Sequence, residues 1–149
     1  MIVLIPAYEP DLRLARLVRT LLASDAVAHV LVVDDGSGPA HDGVFAVVSD
    51  AGAHVLRFPT NRGKGAALRS GFAWVAEHHP GQPVVCADCD GQHTPEDILR
   101  VAGLVEAGTV VLGGRRFTGK VPLRSRLGNA ASRRVFRLVS GQLVHDTQT

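Results

Sequence analysis

Two carboxylates, an amide and an imidazole stand close together in Asp88-Cys89-Asp90-Gly91-Gln92-His93. In extended chain the side chains of Asp88, Asp90 and Gln92 leave on one side, because successive residues alternate faces. Gly91 lets the backbone bend tightly among them. Two carboxylates and an amide oxygen are hard ligands that suit Mg²⁺ or Mn²⁺, with the remaining positions left for water and a substrate phosphate. The same segment also reads as an Asx-rich turn that merely ends a strand. Four more polar clusters could do chemistry: Tyr8-Glu9, Asp34-Asp35, Asn61-Arg62-Gly63-Lys64 and Arg115-Arg116.

The elements that would position these groups are legible from apolar runs and helical spacing. Met1–Ala7, His29–Val33, His54–Phe58, the run beginning at Val84-Val85 and Val110–Leu112 read as strands. The run before Asp88 has the pattern of a strand buried on both faces. Between the strands, Leu14, Leu17, Val18, Leu21 and Leu22 recur at helical spacing behind Asp11 as N-cap. Val44–Val48 predicts a short helix closed near Gly52, and an alanine-rich helix runs through Leu68, Phe72 and Val75 to about His79. Thr94-Pro95-Glu96 supplies an N-cap and first-turn proline for a helix through Ile98, Leu99, Ala102 and Val105. Strict alternation of strand and helix implies an α/β domain with a mainly parallel sheet. Ligands of such sheets bind beyond the carboxyl ends of the strands, and every polar cluster follows a strand. All five are therefore expected on one rim.

The 149 residues suffice for one domain with a real core, and 46% apolar content excludes a disordered chain. No stretch approaches the ~20 apolar residues needed to span a bilayer. The opening Met1-Ile2-Val3-Leu4-Ile5-Pro6 lacks a basic leader and a cleavage site, so a cytoplasmic protein is expected. Cys86 and Cys89 form a lone Cys-x-x-Cys without the second pair of a zinc site, and it straddles a strand end rather than opening a helix. The net charge of +2 hides an asymmetry. Residues 1–114 carry eight Arg/Lys against thirteen Asp/Glu, a net of −5, whereas residues 115–145 carry eight Arg/Lys and no acid, a net of +8, and Asp146 restores the total. Such a basic segment calls for an anionic partner. Nucleic acid is not expected, because no aromatic platform is interleaved with these arginines.

Several phosphate-binding folds share the alternation, and single loops separate them. Pro6-Ala7-Tyr8-Glu9-Pro10 replaces the Gly-x-Gly-x-x-Gly of a dinucleotide-binding turn. Gly63-Lys64 has no glycine five residues upstream and is followed by Gly65 rather than Ser or Thr, which excludes a P-loop. The Gly-rich, Arg-containing first loop expected of a sugar nucleotidyltransferase is absent as well.

Taken together, Ile5-Pro6-Ala7-Tyr8, Val33-Asp34-Asp35-Gly36-Ser37, Asn61-Arg62-Gly63-Lys64-Gly65, Asp88-Cys89-Asp90-Gly91-Gln92-His93 and Gly113-Gly114-Arg115-Arg116-Phe117 resemble the motifs, in order, of the inverting family 2 glycosyltransferases. The chain is most similar to the branch that transfers sugars to dolichyl or polyprenyl phosphate. The resemblance implies a GT-A, Rossmann-like three-layer α/β/α fold, a nucleoside-diphosphate sugar donor of the UDP-glucose or GDP-mannose type, and Mg²⁺ or Mn²⁺. By that analogy Pro6, Ala7, Tyr8, Glu9, Asp34 and Asp35 border the nucleobase. Asp88, Asp90 and Gln92 form the metal and diphosphate site, with Cys89 contributing backbone contact and Arg116 and Lys64 neutralising diphosphate charge. Asp146, in Asp146-Thr147-Gln148-Thr149, is the residue expected to face the acceptor, as base or positioning group.

Two departures from the pattern matter. Pro10 stands where the branch usually carries a Glu in its first loop, and Glu9 is the candidate to replace it. Catalytic domains of the branch continue well past Thr149, so residues 1–149 read as a single domain truncated at its C-terminal end. Residues 1–117 would be the nucleotide-sugar and metal half, and 118–149 the start of an acceptor- and membrane-facing half. Leu127–Val139, apolar on one face and bearing Arg133, Arg134 and Arg137, would lie on an anionic membrane surface at its cytoplasmic face. The alternatives are a related transferase with a saccharide acceptor, or a truncated, non-catalytic nucleotide-sugar-binding domain.

Overall fold

The computed structural model describes residues 1–106 and residue 111. Four parallel strands, β1 (Ile2–Ala7), β2 (His29–Asp34), β3 (His54–Arg57) and β4 (Val84–Cys86), form one sheet in the order β3-β2-β1-β4. The helices between and after them are α1 (Leu12–Leu22), α2 (Asp42–Asp50), α3 (Lys64–His78) and α4 (Pro95–Ala102). Of the expected fifth strand only Val111 is described, so that strand, the basic segment, Arg115, Arg116 and Asp146 lie outside the described residues.

β1 is the central element of this sheet, and all six of its residues are buried. Its alternation divides two cores. Val3, Ile5 and Ala7 join Val30 and Val32 under Leu14, Leu17, Val18 and Leu21 of α1, Phe45 and Val48 of α2, and Ile98 of α4. Ile2 and Leu4 join Leu31 and Val33 under Ala67 and Val75 of α3. Helices thus cover both faces, which is the three-layer α/β/α arrangement expected of the chain. Each fully buried Leu, Ile or Val contributes about 1.5–3 kcal/mol of transfer free energy. The layer spacing depends on Gly71, where a Cβ would overlap the Leu4 side chain.

The caps read from sequence are present: Asp11 Oδ1 accepts from Arg13 N at 2.8 Å, and Thr94 Oγ1 accepts from Asp97 N at 3.2 Å. β4 departs from expectation. It is three residues long with only Val85 buried, Cys86 being exposed, because only β1 pairs with it among the described residues. The strand with the both-face burial expected of residues 84–87 is β1. α4 also stops at Ala102, and Val105 closes only a turn onto Ala102 O.

At the amino ends of the strands lies an aromatic cluster. Trp74 stacks between His54 (4.5 Å) and His78 (4.3 Å), and His29 stands 4.2 Å from His79. His78 Nδ1 lies 2.9 Å from Trp74 O, the carbonyl-satisfying role expected of a polar residue at a helix end. Among the described residues no helix is long and apolar enough to cross a membrane.

Candidate functional site

The carboxyl ends of β1, β2 and β4 and the amino end of α3 meet at one rim. β1 and β2 run in register from Ile2–His29 to Ala7–Asp34, and Asp35 N continues the ladder onto Ala7 O at 2.8 Å. This brings the loop after β1 against the turn after β2. Glu9 adopts φ +48°, and its N–H donates to Ser37 Oγ at 2.9 Å. Tyr8 is half exposed, and its hydroxyl pKa is raised, mainly by a hydrogen bond with the Glu9 carboxylate and by that group's charge; Asn61 bonds the same hydroxyl and Asp35 adds a further negative field. Pro6 and Ala7 are buried beneath them.

The two aspartates of the β2 turn have different surroundings. Asp34 is 1% exposed. Its Oδ1 accepts from Ser37 N (2.9 Å) and Ser37 Oγ (2.6 Å), and its Oδ2 accepts from Arg57 Nε (2.9 Å). Arg57 also reaches Asp42 at 2.6 Å, and these two carboxylates, Asp42 first, hold its guanidinium more firmly charged than usual. With both oxygens engaged below the surface, Asp34 ties the end of β2 to β3 rather than presenting a free acceptor. Asp35, 3% exposed, accepts from Arg62 N through Oδ1 at 2.8 Å, and its Oδ2 has no partner among the described residues. Gly36 at φ +74° makes this possible: a Cβ there would overlap the backbone of Thr60 and Asn61, which crosses directly over it.

That crossing leads the chain into α3. Asn61 Oδ1 accepts from Gly63 N at 3.0 Å, and Lys64 is the first helical residue. Its ammonium reaches Asp88 Oδ1 at 2.6 Å, joining groups that sequence places in separate motifs. Asp88 is fixed through its backbone, since its N–H donates to His93 Nδ1 at 3.0 Å and Ala87 N donates to Leu4 O at 3.1 Å. Asp90 Oδ1 accepts from Gln92 N at 2.9 Å around Gly91, which has φ +78°. Asp88, Asp90 and Gln92 carry hard oxygens, a donor chemistry that suits Mg²⁺ or Mn²⁺. Among the described residues no three His, Cys, Asp or Glu side chains converge on a common point, so Gln92 and exogenous ligands would have to complete the shell.

Neither cysteine is an activated thiol. Shielding from water pushes the Cys86 thiol to about 11, although the residue shows surface, and burial likewise raises Cys89. Cys89 packs against the core, so the groups it can offer at the rim are main-chain ones.

Sequence reasoning missed Arg13 and Arg57, and it quoted Ser37 and Asn61 within motifs without giving either a role. Arg13 projects from the first turn of α1, bonds Asp11 through Nε at 2.9 and 3.0 Å, and lays its stem along Gly91, where Cδ would lie 3.5 Å from an added Cβ. Its charge is favoured first by Asp11 and also by Asp90. No motif marks it, because its proximity to Asp90 follows from packing of α1 beside the β4 loop. Ser37 had a local signal, as the third residue after Asp34 in an Asx turn.

The comparisons agree with this architecture. The glycosyl transferase family 2 profile matches residues 2–144, and the chain belongs to that family. It is 31% identical to the polyprenol monophosphomannose synthase of Mycolicibacterium smegmatis, over 97% of this chain and 57% of that one. It is 37% identical to the undecaprenyl-phosphate mannosyltransferase of Micrococcus luteus, over 78% of this chain and 48% of that protein. An uncharacterized protein of Methanocaldococcus jannaschii is 29% identical over 99% of this chain and 61% of its own length. The chain therefore spans about half the length of the curated relatives it matches.

Proposed function

We propose that this chain is the donor-binding part of a metal-dependent, inverting glycosyltransferase that moves a hexose from a UDP- or GDP-sugar to a polyprenyl phosphate. The observation that carries the reading is the meeting of Asp35, Lys64 and Asp88 on one rim in a family 2 domain, with Lys64 Nζ 2.6 Å from Asp88 Oδ1. Asp35 keeps one oxygen for a nucleobase N–H, and Tyr8, Glu9 and Asn61 wall the same place, so the base contact falls to Asp35 rather than to Asp34. Asp88, Asp90 and Gln92 would hold Mg²⁺ or Mn²⁺. When bound, such an ion stabilises negative charge developing on the leaving diphosphate. Lys64 and Arg116 add positive charge to the same leaving group, and the main chain at Cys89 borders it.

An acceptor phosphate oxygen is already ionised at neutral pH and needs little base catalysis, so Asp146 serves to orient the acceptor. The basic segment, with Leu127–Val139, gives the lipid phosphate and an anionic membrane surface their counter-charges at the cytoplasmic face. Named relatives acting on polyprenol and undecaprenyl phosphates favour a lipid phosphate over a saccharide acceptor. A second reading is a nucleotide-sugar-binding domain without transferase activity of its own.

Calorimetric titration of UDP-glucose and GDP-mannose, with Mn²⁺ and then with EDTA, tests the donor half. Metal-dependent binding of one nucleotide sugar, lost in Asp90→Ala, is the expected result. A folded chain that binds neither sinks the donor-site assignment. Transfer to a polyprenyl phosphate separates the two readings.

A further inference from the structure

We infer that Lys64 is a metal-released phosphate-positioning residue: its ammonium holds Asp88 in the metal-free protein, and a divalent cation that takes Asp88 frees it for the donor diphosphate. This rests on the donor-site reading above. Both backbones are anchored. Lys64 follows Gly63, whose carbonyl accepts from Ala66 N (2.8 Å) and Ala67 N (3.2 Å), while Asp88 is held by His93 and flanked by the Ala87–Leu4 bond. Only the side chains can change partners, and the lysine side chain is half exposed, with room to swing.

Lys64 is the one cation bonded to the Asp88 carboxylate among the described residues. An ammonium and a divalent ion compete for that carboxylate and repel one another. An ion pair this exposed is weak, so a doubly charged ion bound by Asp88 and Asp90 together displaces it readily. The released ammonium then stands beside a second cation, an arrangement that an anion bridging the two would relieve. A diphosphate is that anion. Metal and nucleotide consequently strengthen each other's binding, each by the same factor, and Lys64 is the residue through which part of that coupling passes.

The test uses the whole chain without nucleotide, with Mn²⁺ binding followed by electron paramagnetic resonance and amine reactivity by pulsed acetylation and mass spectrometry. Lys120, the only other lysine, is the internal reference. Saturating Mn²⁺ is expected to raise the acetylation rate of Lys64 relative to Lys120 by roughly two- to fivefold, with no rise in Asp90→Ala; Lys64→Met is expected to bind Mn²⁺ tighter by about the same factor. In the same variant UDP or GDP binding weakens and loses part of its Mn²⁺ enhancement. If Mn²⁺ binds, and Asp90→Ala abolishes it, but Lys64 acetylation does not change or Lys64→Met binds no tighter, the inference is overturned while the metal site stands. If folded wild-type chain binds no Mn²⁺, the metal site itself is overturned and the inference with it.

Discussion

β1 is flanked by two strands that end in acidic turns, and the two turns have been put to opposite uses. Asp34-Asp35-Gly36 follows β2, and Asp88-Cys89-Asp90-Gly91 follows β4. Each couples two carboxylates with a glycine at positive φ, +74° and +78°. The β2 turn is enclosed: Asp34 and Asp35 are 1% and 3% exposed, and Ser37, Arg57 and Arg62 occupy three of their four oxygens. The β4 turn is open. Asp88 is 30% exposed, with its carboxylate held among the described residues by the half-exposed Lys64, and Asp90 accepts from Gln92 N within its own turn. Paired carboxylates beside a glycine therefore build a closed, fixed platform on one side of β1 and an open, solvent-facing turn on the other. Burial and the reach of neighbouring cations make that difference.

Four substitutions test this contrast directly, and a fifth, followed across pH, supplies a reference far from both turns. The largest effect is expected for Gly36→Ala, which meets both a left-handed backbone and the backbone of Thr60 and Asn61. A loss of about 2–4 kcal/mol in urea unfolding is expected. Gly91→Ala shares the left-handed strain but faces only the Arg13 stem at 3.5 Å, so about 1 kcal/mol is expected. Equal losses at the two glycines would erase the distinction between a closed and an open turn. Asp34→Ala strands the buried Ser37 N–H and one bond of the half-exposed Arg57, at about 2–3 kcal/mol. Asp88→Asn, by contrast, should leave unfolding within about 0.5 kcal/mol of wild type while nucleotide binding loses its response to Mn²⁺. A large stability loss at Asp88 would show that its turn, too, is structural.

The smallest effect is expected far from both turns, in the histidine cluster at the other end of the sheet. Burial beside His29 and His78 lowers the pKa of His79 below its ordinary 6.5. The unfolded chain then takes up the proton more readily than the folded one. The stability due to neutral His79 is complete above about pH 6.5 and is lost as pH falls through the lower, folded value. Thermal melts of His79→Gln should decline less steeply below pH 6.5 than those of wild type. Identical slopes would show that His79 is not a source of the acid sensitivity.

Much of the described fold was legible in the residues. The apolar runs of β1 and β2, the caps Asp11 and Thr94 and the helical face of α1 are local signals, and each element lies within a few residues of its expected place. The order of the polar clusters also foretold a common rim, since parallel strands put their carboxyl ends together. β4 was misread because an apolar run carries no information about its neighbours: Val84-Val85-Cys86 is as apolar as a both-face-buried strand, yet only Val85 is buried. Nor did Asp34 and Asp35 look different in sequence. Their division of labour depends on Arg57, 23 residues from Asp34, and Arg62, 27 residues from Asp35.

The alternation of strands and helices, the family, and the residue types carried to each strand end are all local properties of the chain. These follow from short-range periodicity and from motifs that occupy consecutive positions. Packing in three dimensions settles which carboxylates are sealed and which stay open to solvent. Lys64 meets Asp88 across 24 residues, Glu9 meets Ser37 across 28, and Arg13 approaches the Asp90 loop because α1 packs beside it. A carboxylate's role is set by its desolvation and by the cations within hydrogen-bond reach, and both are properties of chain segments brought together in space.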